Sequence, residues 1–168
     1  MICKLPPKLA DLVQSIRGES VFHRCCDSLE FWNQIPYQLD DLKIWHTPAE
    51  TLAQGHAVCH DYAVGNYFTL GASGIPWENM AVCVVRLTDG EMHAVLHAED
   101  SSDAYILDNR HDSVRSLDDC DDLTPLYGLN HKELIIFNHD WTTLAVRKPE
   151  QDSDWTDLMS RIAKEGGA

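Results

Sequence analysis

Basic residues are scarce in this sequence. Among its 168 residues, 13 are lysine or arginine and 27 are aspartate or glutamate, so the formal net charge is −14 with histidine neutral. The isoelectric point of the sequence is about 4.8. A chain of this charge is repelled by the phosphates of nucleic acids and by anionic lipid headgroups. We therefore expect neither a nucleic acid nor an anionic membrane surface as its main partner.

Long apolar runs are absent as well. No stretch approaches the ~20 apolar residues that cross a bilayer. The opening segment, MICKLPPKLADLVQSIRGES, lacks the uninterrupted apolar core of a secretory signal. We expect a soluble protein that is not inserted in a membrane. It is expected to act in the cytoplasm, or in the periplasm if a leader has been removed.

Cysteine pairs of the kind that hold zinc are also missing. The six cysteines are Cys3, Cys25, Cys26, Cys59, Cys83 and Cys120, and no two of them are separated by two residues. A structural zinc site is therefore not expected. In a chain of this length without an export signal, free thiols are expected in preference to disulfides. Cys25 and Cys26 are interpreted as packing residues.

The first part of the chain has helical periodicity. The length suits one domain over residues 1–168, and the composition, 44% hydrophobic and 24% charged, is that of a globular protein. Apolar residues at helical spacing predict one helix after Pro6 and another from Val21. The sequence TPAE at residues 47–50 has the form of a capping box and predicts a short helix that Gly55 ends.

From residue 80 the apolar period becomes that of strands. Four strands are predicted, at residues 80–87, 92–98, 104–108 and 133–137. The turn TDGE at residues 88–91 predicts a hairpin between the first two. Helices followed by an antiparallel β-meander indicate an α+β fold. An amphipathic stripe near the end of the chain predicts a last helix, with Ser153 as its cap and Gly166 and Gly167 after it.

The stretch GHAVCHDYAVGNYFTLGASG, residues 55–74, carries the first candidate for chemistry. It predicts a central helix that begins around Cys59, is apolar over most of its circumference and is closed by Gly71 and Gly74. A thiol at the start of a helix gains from the helix dipole, which favours the thiolate. From the residues alone, Cys59 is a packing residue, a metal ligand together with His56 and His60, or a nucleophile.

The second predicted hairpin brings a histidine beside a carboxylate. If its turn is centred near residues 100–102, His93 lies opposite Asp108, and directly opposed residues share a face with Cβ atoms about 5 Å apart. A slip of one residue in the register would separate them. With Cys59, the pair completes a set in which histidine takes the thiol proton and aspartate orients the ring. The alternative is three unrelated residues, a buried cysteine among them.

Several segments, in the same order along the chain, resemble a known family. The runs GHAVCHDYAVGNYFTLGASGIP, VVRL, MHAVLHA and YILDNR, with NQIPYQLDD and IWHTPAETLAQG before them and LTPLYGLN after them, cover about residues 28–138. They are similar to the bacterial transglutaminase-like (LapG-like) cysteine proteinases. The resemblance implies a papain-like, transglutaminase-type core with the nucleophile helix packed on the sheet. It also implies a catalytic triad of Cys59, His93 and Asp108.

Two further residues follow from the same resemblance. Asn109, beside the triad aspartate, is implied as a supporting residue. Trp45 matches a tryptophan before the Thr-Pro segment, where it either lines the site or helps the oxyanion hole, or else packs in the core. On physical grounds the backbone N–H of Cys59, free at a helix start, is a better oxyanion donor than the Trp45 side chain.

Around the nucleophile, this sequence departs from the family pattern. The family has Asp-Cys-Glu-Asp there, and these carboxylates help to bind calcium, whereas residues 58–61 of this chain read Val-Cys-His-Asp. Calcium takes about six to eight oxygen ligands, and valine and imidazole supply none. We therefore expect no cofactor and no calcium dependence. The competing possibility is that acids such as Asp40 and Asp41 rebuild a site with Asp61.

The sequence thus predicts a cysteine peptidase, and the resemblance implies a protein substrate such as a large surface adhesin. Two other functions remain open. Deamidation or another acyl transfer uses the same triad, and the fold does not separate these reactions. A non-catalytic binding module on the same scaffold is suggested by the altered acids around Cys59.

Overall fold

The computed structural model describes residues 4–166. Within these residues it contains five α-helices and seven β-strands. The helices are α1 (Pro7–Ile16), α2 (Val21–Asn33), α3 (Pro48–Gln54), α4 (Cys59–Ala72) and α5 (Ser153–Gly166). The strands are β1 (Met80–Leu87), β2 (Met92–Glu99), β3 (Ala104–Leu107), β4 (Arg115–Ser116), β5 (Leu123–Leu129), β6 (Leu134–Phe137) and β7 (Thr143–Arg147). Cys3 and Gly167 lie outside the described residues.

The short helix α3 has the ends that its sequence predicts. The Thr47 hydroxyl accepts a hydrogen bond from the Glu50 N–H at 3.1 Å, and the Glu50 carboxylate accepts one from the Thr47 N–H at 2.9 Å. This reciprocal pair is a capping box. Gly55 ends the helix in the left-handed region, with φ of 76°. These local signals fix where α3, the segment before the helix that starts at Cys59, begins and ends.

The central helix α4 begins at Cys59, as predicted, but it does not close at Gly71. It continues to Ala72, and Gly71 lies inside it, where a Cβ atom would overlap the ring of Trp77. Gly65 is similar, since a Cβ there would be 2.5 Å from the ring of Trp32. Both glycines therefore serve close packing against a tryptophan, so the predicted role of Gly71 in closing the helix was wrong. Gly74, with φ of 104°, follows the Ser73 cap and closes the helix as predicted.

The strands form one antiparallel sheet with the order β4-β3-β2-β1-β5-β6-β7. Strands β1 to β3 form the predicted meander, and the two-residue β4, which was not predicted, extends it. The chain then returns to pair β5 with the free side of β1, and β6 and β7 continue outward from there. Strands β4, β5 and β7 are missing from the sequence prediction, and their addition makes β1 and β2 central.

The main core lies between α4 and the sheet. Its buried side chains include Tyr67, Leu70, Val82, Leu96 and Leu158. The last of these belongs to α5, which packs on the same core. Among the described cysteines no disulfide forms, and Cys25 is fully buried, as expected of a packing residue. None of the helices within residues 4–166 is long and apolar enough to cross a membrane.

The predicted ends of α5 need two corrections. Ser153 is the first helical residue, and the preceding Asp152 supplies the cap, because its carboxylate accepts the Trp155 N–H at 2.8 Å. Gly166 belongs to the helix instead of following it. An aspartate and a serine are both good capping residues, so the sequence alone left the helix start open by one position.

Candidate active site

Cys59 is the first residue of α4, and the local sequence explains why the helix begins there. Val58 is extended, and its N–H donates to the carboxylate of Asp61 at 3.0 Å, which satisfies the backbone just before the helix. The backbone N–H of Cys59 has no acceptor among the described residues. A free N–H beside a thiol at a helix start can stabilise an oxyanion.

His93 and Asp108 are in direct contact, although not by the predicted register. Nε2 of His93 lies 2.8 Å from Oδ1 of Asp108, and both side chains are buried. The β2–β3 ladder pairs Leu96 with Leu107 and ends there, so Asp108 follows β3 and would, by extension, lie opposite Val95. The prediction that Asp108 directly opposes His93 was therefore wrong. A shift of two positions keeps the same face, which preserves the contact.

Two arginines complete the surroundings of Asp108. Arg110 approaches both carboxylate oxygens, with Nη2 2.6 Å from Oδ2, and Nη2 of Arg115 lies 3.5 Å from Oδ2. Both guanidiniums also contact Asp122. Burial alone would raise the pKa of Asp108, but hydrogen bonds from His93 and Arg110 outweigh burial and hold this pKa well below its ordinary value. Asp108 therefore stays ionised.

The electrostatics of the thiol and the imidazole are linked. Burial would raise the pKa of Cys59, but its interactions with His60 and His93 lower it to about 6. Burial would likewise lower the pKa of His93, but Asp108 and Cys59 raise it to about 9. At neutral pH the two side chains therefore form a thiolate–imidazolium ion pair, the reactive form of a nucleophilic cysteine.

The other thiols have the opposite character. Burial is the first cause in each case, and it raises the pKa of Cys25 and of Cys83 to about 12 and that of Cys120 to about 11. Buried thiols with a raised pKa are inert packing residues. Cys59 is thus the described cysteine whose surroundings favour the thiolate.

A cavity of about 220 Å³ opens over Cys59. Its lining residues are Leu42, Trp45, Cys59, His60, Val84, Met92, His93, Ala94, Tyr127 and Asp154. Leu42 and Met92 are more than half exposed at its mouth. Trp45 lines this cavity and also belongs to the main core, so it lies in both of the places that the sequence offered as alternatives. The cavity gives an extended chain access to the thiol from a largely apolar surface.

His60 is a site residue that the sequence prediction did not assign to catalysis. Its ring stacks on Trp45, with ring centroids 5.2 Å apart and an interplanar angle of 10°. It interacts with the Cys59 thiol, and Nε2 lies 2.9 Å from the carbonyl oxygen of Ile44. The alternative of a metal site with His56 finds no support, because residues 4–166 contain no cluster of three or more His, Cys, Asp or Glu able to hold a metal ion.

Asn109 follows Asp108, as its predicted supporting role requires, but within residues 4–166 its side chain makes no hydrogen bond to His93 or Asp108. Its carboxamide oxygen is buried and has no hydrogen-bond partner within the described part of the chain. The Asp108 oxygens are instead bonded by His93 and Arg110. The supporting role of Asn109 stays a prediction.

A cysteine at the start of a buried helix, with a histidine held by an aspartate on the adjoining sheet, is the arrangement of the transglutaminase-like cysteine enzymes. Residues 33–122, which are 90 of the 168, match the family model described as bacterial transglutaminase-like cysteine proteinase BTLCP. The chain belongs to this family, so the resemblance found in its sequence is confirmed. No curated protein sequence matches the chain significantly.

Solved structures of LapG from Legionella pneumophila share this fold. The EGTA-treated form aligns with a TM-score of 0.83 at 26% identity, over 92% of this chain and 86% of LapG. The calcium-bound form aligns with a TM-score of 0.78 at 26% identity, over 92% of this chain and 87% of LapG. The α+β, transglutaminase-like fold predicted from the sequence is therefore confirmed.

The likeness to a calcium-bound protein raises the question of whether calcium fits beside Cys59 here. Both oxygens of Asp61 are already engaged, Oδ2 by the Val58 N–H at 3.0 Å and Oδ1 by the His46 N–H at 3.1 Å. Val58 and His60 offer no side-chain oxygen. A hard cation that takes about six to eight oxygen ligands finds too few of them here. The residues present do not fit calcium at this place, and calcium independence stays a prediction.

Proposed function

We propose that this protein is a cysteine peptidase that cuts a protein substrate through Cys59, His93 and Asp108. One observation carries the proposal. Cys59 lies at the start of α4 and interacts with His93, whose other side is held by Asp108 at 2.8 Å. The thiol and the imidazole thus line one cavity, and the carboxylate holds the imidazole from its other side, which is the arrangement that activates a thiol for acyl transfer.

The reaction follows from the hydrogen bond of the His93 ring. Because Nε2 is hydrogen-bonded to Asp108, Nδ1 is the nitrogen that takes the Cys59 proton. The thiolate attacks the scissile carbonyl carbon, and the Cys59 N–H stabilises the oxyanion that forms. The C–N bond then breaks, and the leaving amine receives the proton from His93. Water attacks the thioester with His93 as base, which releases a carboxylate and restores the thiol.

The substrate class follows from the family and from the cavity. A cysteine proteinase family implies a protein substrate. The largely apolar cavity of about 220 Å³ over Cys59 suits one side chain of an extended segment, and not a folded surface. Among protein substrates, we propose a large surface adhesin cut at one exposed site, on the basis of the sequence resemblance.

Mapping of new protein N-termini tests the proposal. Extracellular and cell-surface proteins would be incubated with the wild type, with Cys59→Ala and with Cys26→Ala, which removes a half-buried thiol outside the site. New N-termini should appear with the wild type and with Cys26→Ala, and be absent with Cys59→Ala. Equal cleavage by Cys59→Ala would refute the assignment of the nucleophile.

The same samples separate the two other functions. If an acyl transferase is present, added amines appear on glutamine side chains while the backbone stays intact. A binding module without chemistry would have an ordinary Cys59 thiol, titrating near ~8.5. Either result would replace the peptidase with that function.

A further inference from the structure

The His60 ring is fixed from two sides, beside the nucleophile. It is buried, with 4% of its surface exposed, and it stacks parallel on Trp45. Nε2 lies 2.9 Å from the Ile44 carbonyl oxygen, which can only accept, so Nε2 carries a proton and donates it there. Nδ1 is then the nitrogen left to interact with the Cys59 thiol. The ring is thus fixed in the wall of the cavity that contains the Cys59 thiol.

The charges around His60 favour a second proton on the ring. Oδ1 of Asp61 lies 3.5 Å from Nε2, and this carboxylate is almost fully buried. Titratable groups face His60 from four parts of the fold. They are Cys59 and Asp61 on its own helix, His46 in the loop before it, His93 and Tyr127 on the sheet, and Asp154 on α5. Burial would lower the pKa of His60, but Cys59 and Asp61 raise it. Two anions on two sides stabilise an imidazolium between them.

We propose that His60 is a second catalytic histidine, which holds the Cys59 sulfur as a thiolate by donating a hydrogen bond from Nδ1. The inference rests on the proposed function, in which Cys59 is the nucleophile. His93 carries out the proton transfers, from the thiol and then to the leaving amine. Both ring nitrogens of His60 stay protonated throughout. Nε2–H donates a hydrogen bond to the Ile44 carbonyl, and Nδ1–H donates one to the sulfur. The thiolate is thus held between two imidazoles.

The arrangement assigns different tasks to the two histidines. His93 is oriented by Asp108, whereas His60 is fixed by Trp45 and Ile44 and has Asp61 as its counter-charge. Loss of His93 should therefore stop turnover, because no base remains, while the thiol stays partly ionised at neutral pH. Loss of His60 should leave proton transfer possible but reduce the fraction of thiolate below neutral pH.

The test is the rate of Cys59 alkylation by iodoacetamide between about pH 5 and about pH 10. The Cys59 peptide would be quantified by mass spectrometry, so the other cysteines do not interfere and no substrate is needed. His60→Phe keeps an aromatic ring on Trp45 without its nitrogens, and His60→Gln keeps an uncharged donor. His23→Ala, which removes an exposed histidine on α2, is the control.

Near pH 6 His60→Phe should be alkylated about fivefold more slowly than the wild type, as for a thiol whose pKa rises from about 6 by about one unit. Above about pH 9.5 the two rates should agree within about twofold, because both thiols are then ionised. A profile that coincides with the wild type, or one lowered equally at every pH, would overturn the proposal. If His60→Phe does not fold, His60→Gln decides, with a raised midpoint in favour and an unchanged one against.

His93→Ala, measured in the same way, keeps this inference apart from the proposed function. If His93→Ala shifts the profile and His60→Phe does not, the peptidase assignment stands and the role of His60 is wrong. If His60→Phe shifts it and His93→Ala does not, the assignment of His93 as base fails. If neither variant shifts it, both fail.

Discussion

Asp108 connects the reactive pair to the positive charges behind it. Its carboxylate binds His93 at 2.8 Å and two arginines on its other side. The ring of His93 is therefore held with Nδ1 free for Cys59, and its protonated form is stabilised. Both effects need a carboxylate at this position, since an amide can donate as well as accept and can hold the wrong tautomer.

We predict that Asp108→Asn lowers kcat by about two to four orders of magnitude while the protein still folds. The melting temperature should fall modestly, because Arg110 and Arg115 lose an anionic partner. Asp121→Asn, an exposed change in the following acidic loop, should retain the wild-type kcat. Measured kcat of Asp108→Asn within a factor of about three of the wild type would mean that another group orients His93.

The pH dependence follows from the Cys59–His93 pair. The pKa of Cys59 is lowered to about 6, so the thiolate forms as the pH rises through that value. The pKa of His93 is raised to about 9, so the imidazolium is lost as the pH rises through that value. We predict a bell-shaped kcat/KM with its plateau between these two pH values. A profile that shows only a single rise near pH 8.5 would indicate an ordinary thiol without the ion pair.

The candidate site was only partly predictable from single residues. Cys59, His93 and Asp108 could be proposed because helix-start and hairpin rules act over short stretches of chain. His60 could not, since its place depends on the distant carbonyl of Ile44. The roles of Arg110 and Arg115 depend on how the segment after Asp108 folds back onto its carboxylate. His60 becomes a site residue only where the loop of Ile44 and Trp45 folds over α4.

At the scale of elements, α4 is fixed by the close approach of α2 at Gly65. A Cβ at Gly65 would lie 2.5 Å from the Trp32 ring, whose Nε1 donates to the Thr69 hydroxyl at 2.9 Å. Trp32 is fully buried, so it has no room to move away. Both helices must therefore adjust together if the position is filled.

We predict that Gly65→Ala lowers the free energy of unfolding by about 1–3 kcal/mol or more through overpacking, despite the better helix propensity of alanine. Chemical denaturation measures this quantity. Ala10→Ser, which adds an atom on an exposed face of α1, should change it by less than about 0.5 kcal/mol. A stabilised Gly65→Ala would mean that α2 and α4 are not packed as closely as the structure has them.

Elements with strong local signals were predicted well, and those defined by pairing were not. The capping box at Thr47 and the hairpin with Gly90 at φ of 90° are encoded within a few residues. Strand β5 contains Pro125, which argues against a central strand in the sequence. The structure accommodates it through a shift in the β1–β5 register between Val84 and Val85. Such a bulge depends on the partner strand and is not visible in the segment itself.

At the scale of the whole molecule, the chain has the fold of LapG, and its residues 58–61 offer one carboxylate, that of Asp61, beside Cys59. The fold aligns with both the EGTA-treated and the calcium-bound forms of LapG. In this chain, Asp61 caps α4 and binds the His46 loop. The imidazole of His60 lines the same cavity as the Cys59 thiol and supplies no oxygen ligand.

We predict that activity persists in excess EGTA and that millimolar calcium leaves the melting temperature nearly unchanged. A ligand at about 100 times its dissociation constant would add about 2.7 kcal/mol, which is easily seen as a thermal shift. A clear shift with calcium that Asp61→Ala abolishes would show that acids such as Asp40 and Asp41 rebuild the site. Magnesium at the same concentration controls for general ionic effects.

The most direct test of the account is to trap the acyl-enzyme on a substrate identified by cleavage mapping. The reaction would be quenched with acid within one turnover and the protein digested and mapped by mass spectrometry. The Cys59 peptide should carry the N-terminal fragment of the substrate as a thioester, which hydroxylamine removes. Cleavage products that accumulate with no adduct on Cys59, or with the adduct on another residue, would contradict it.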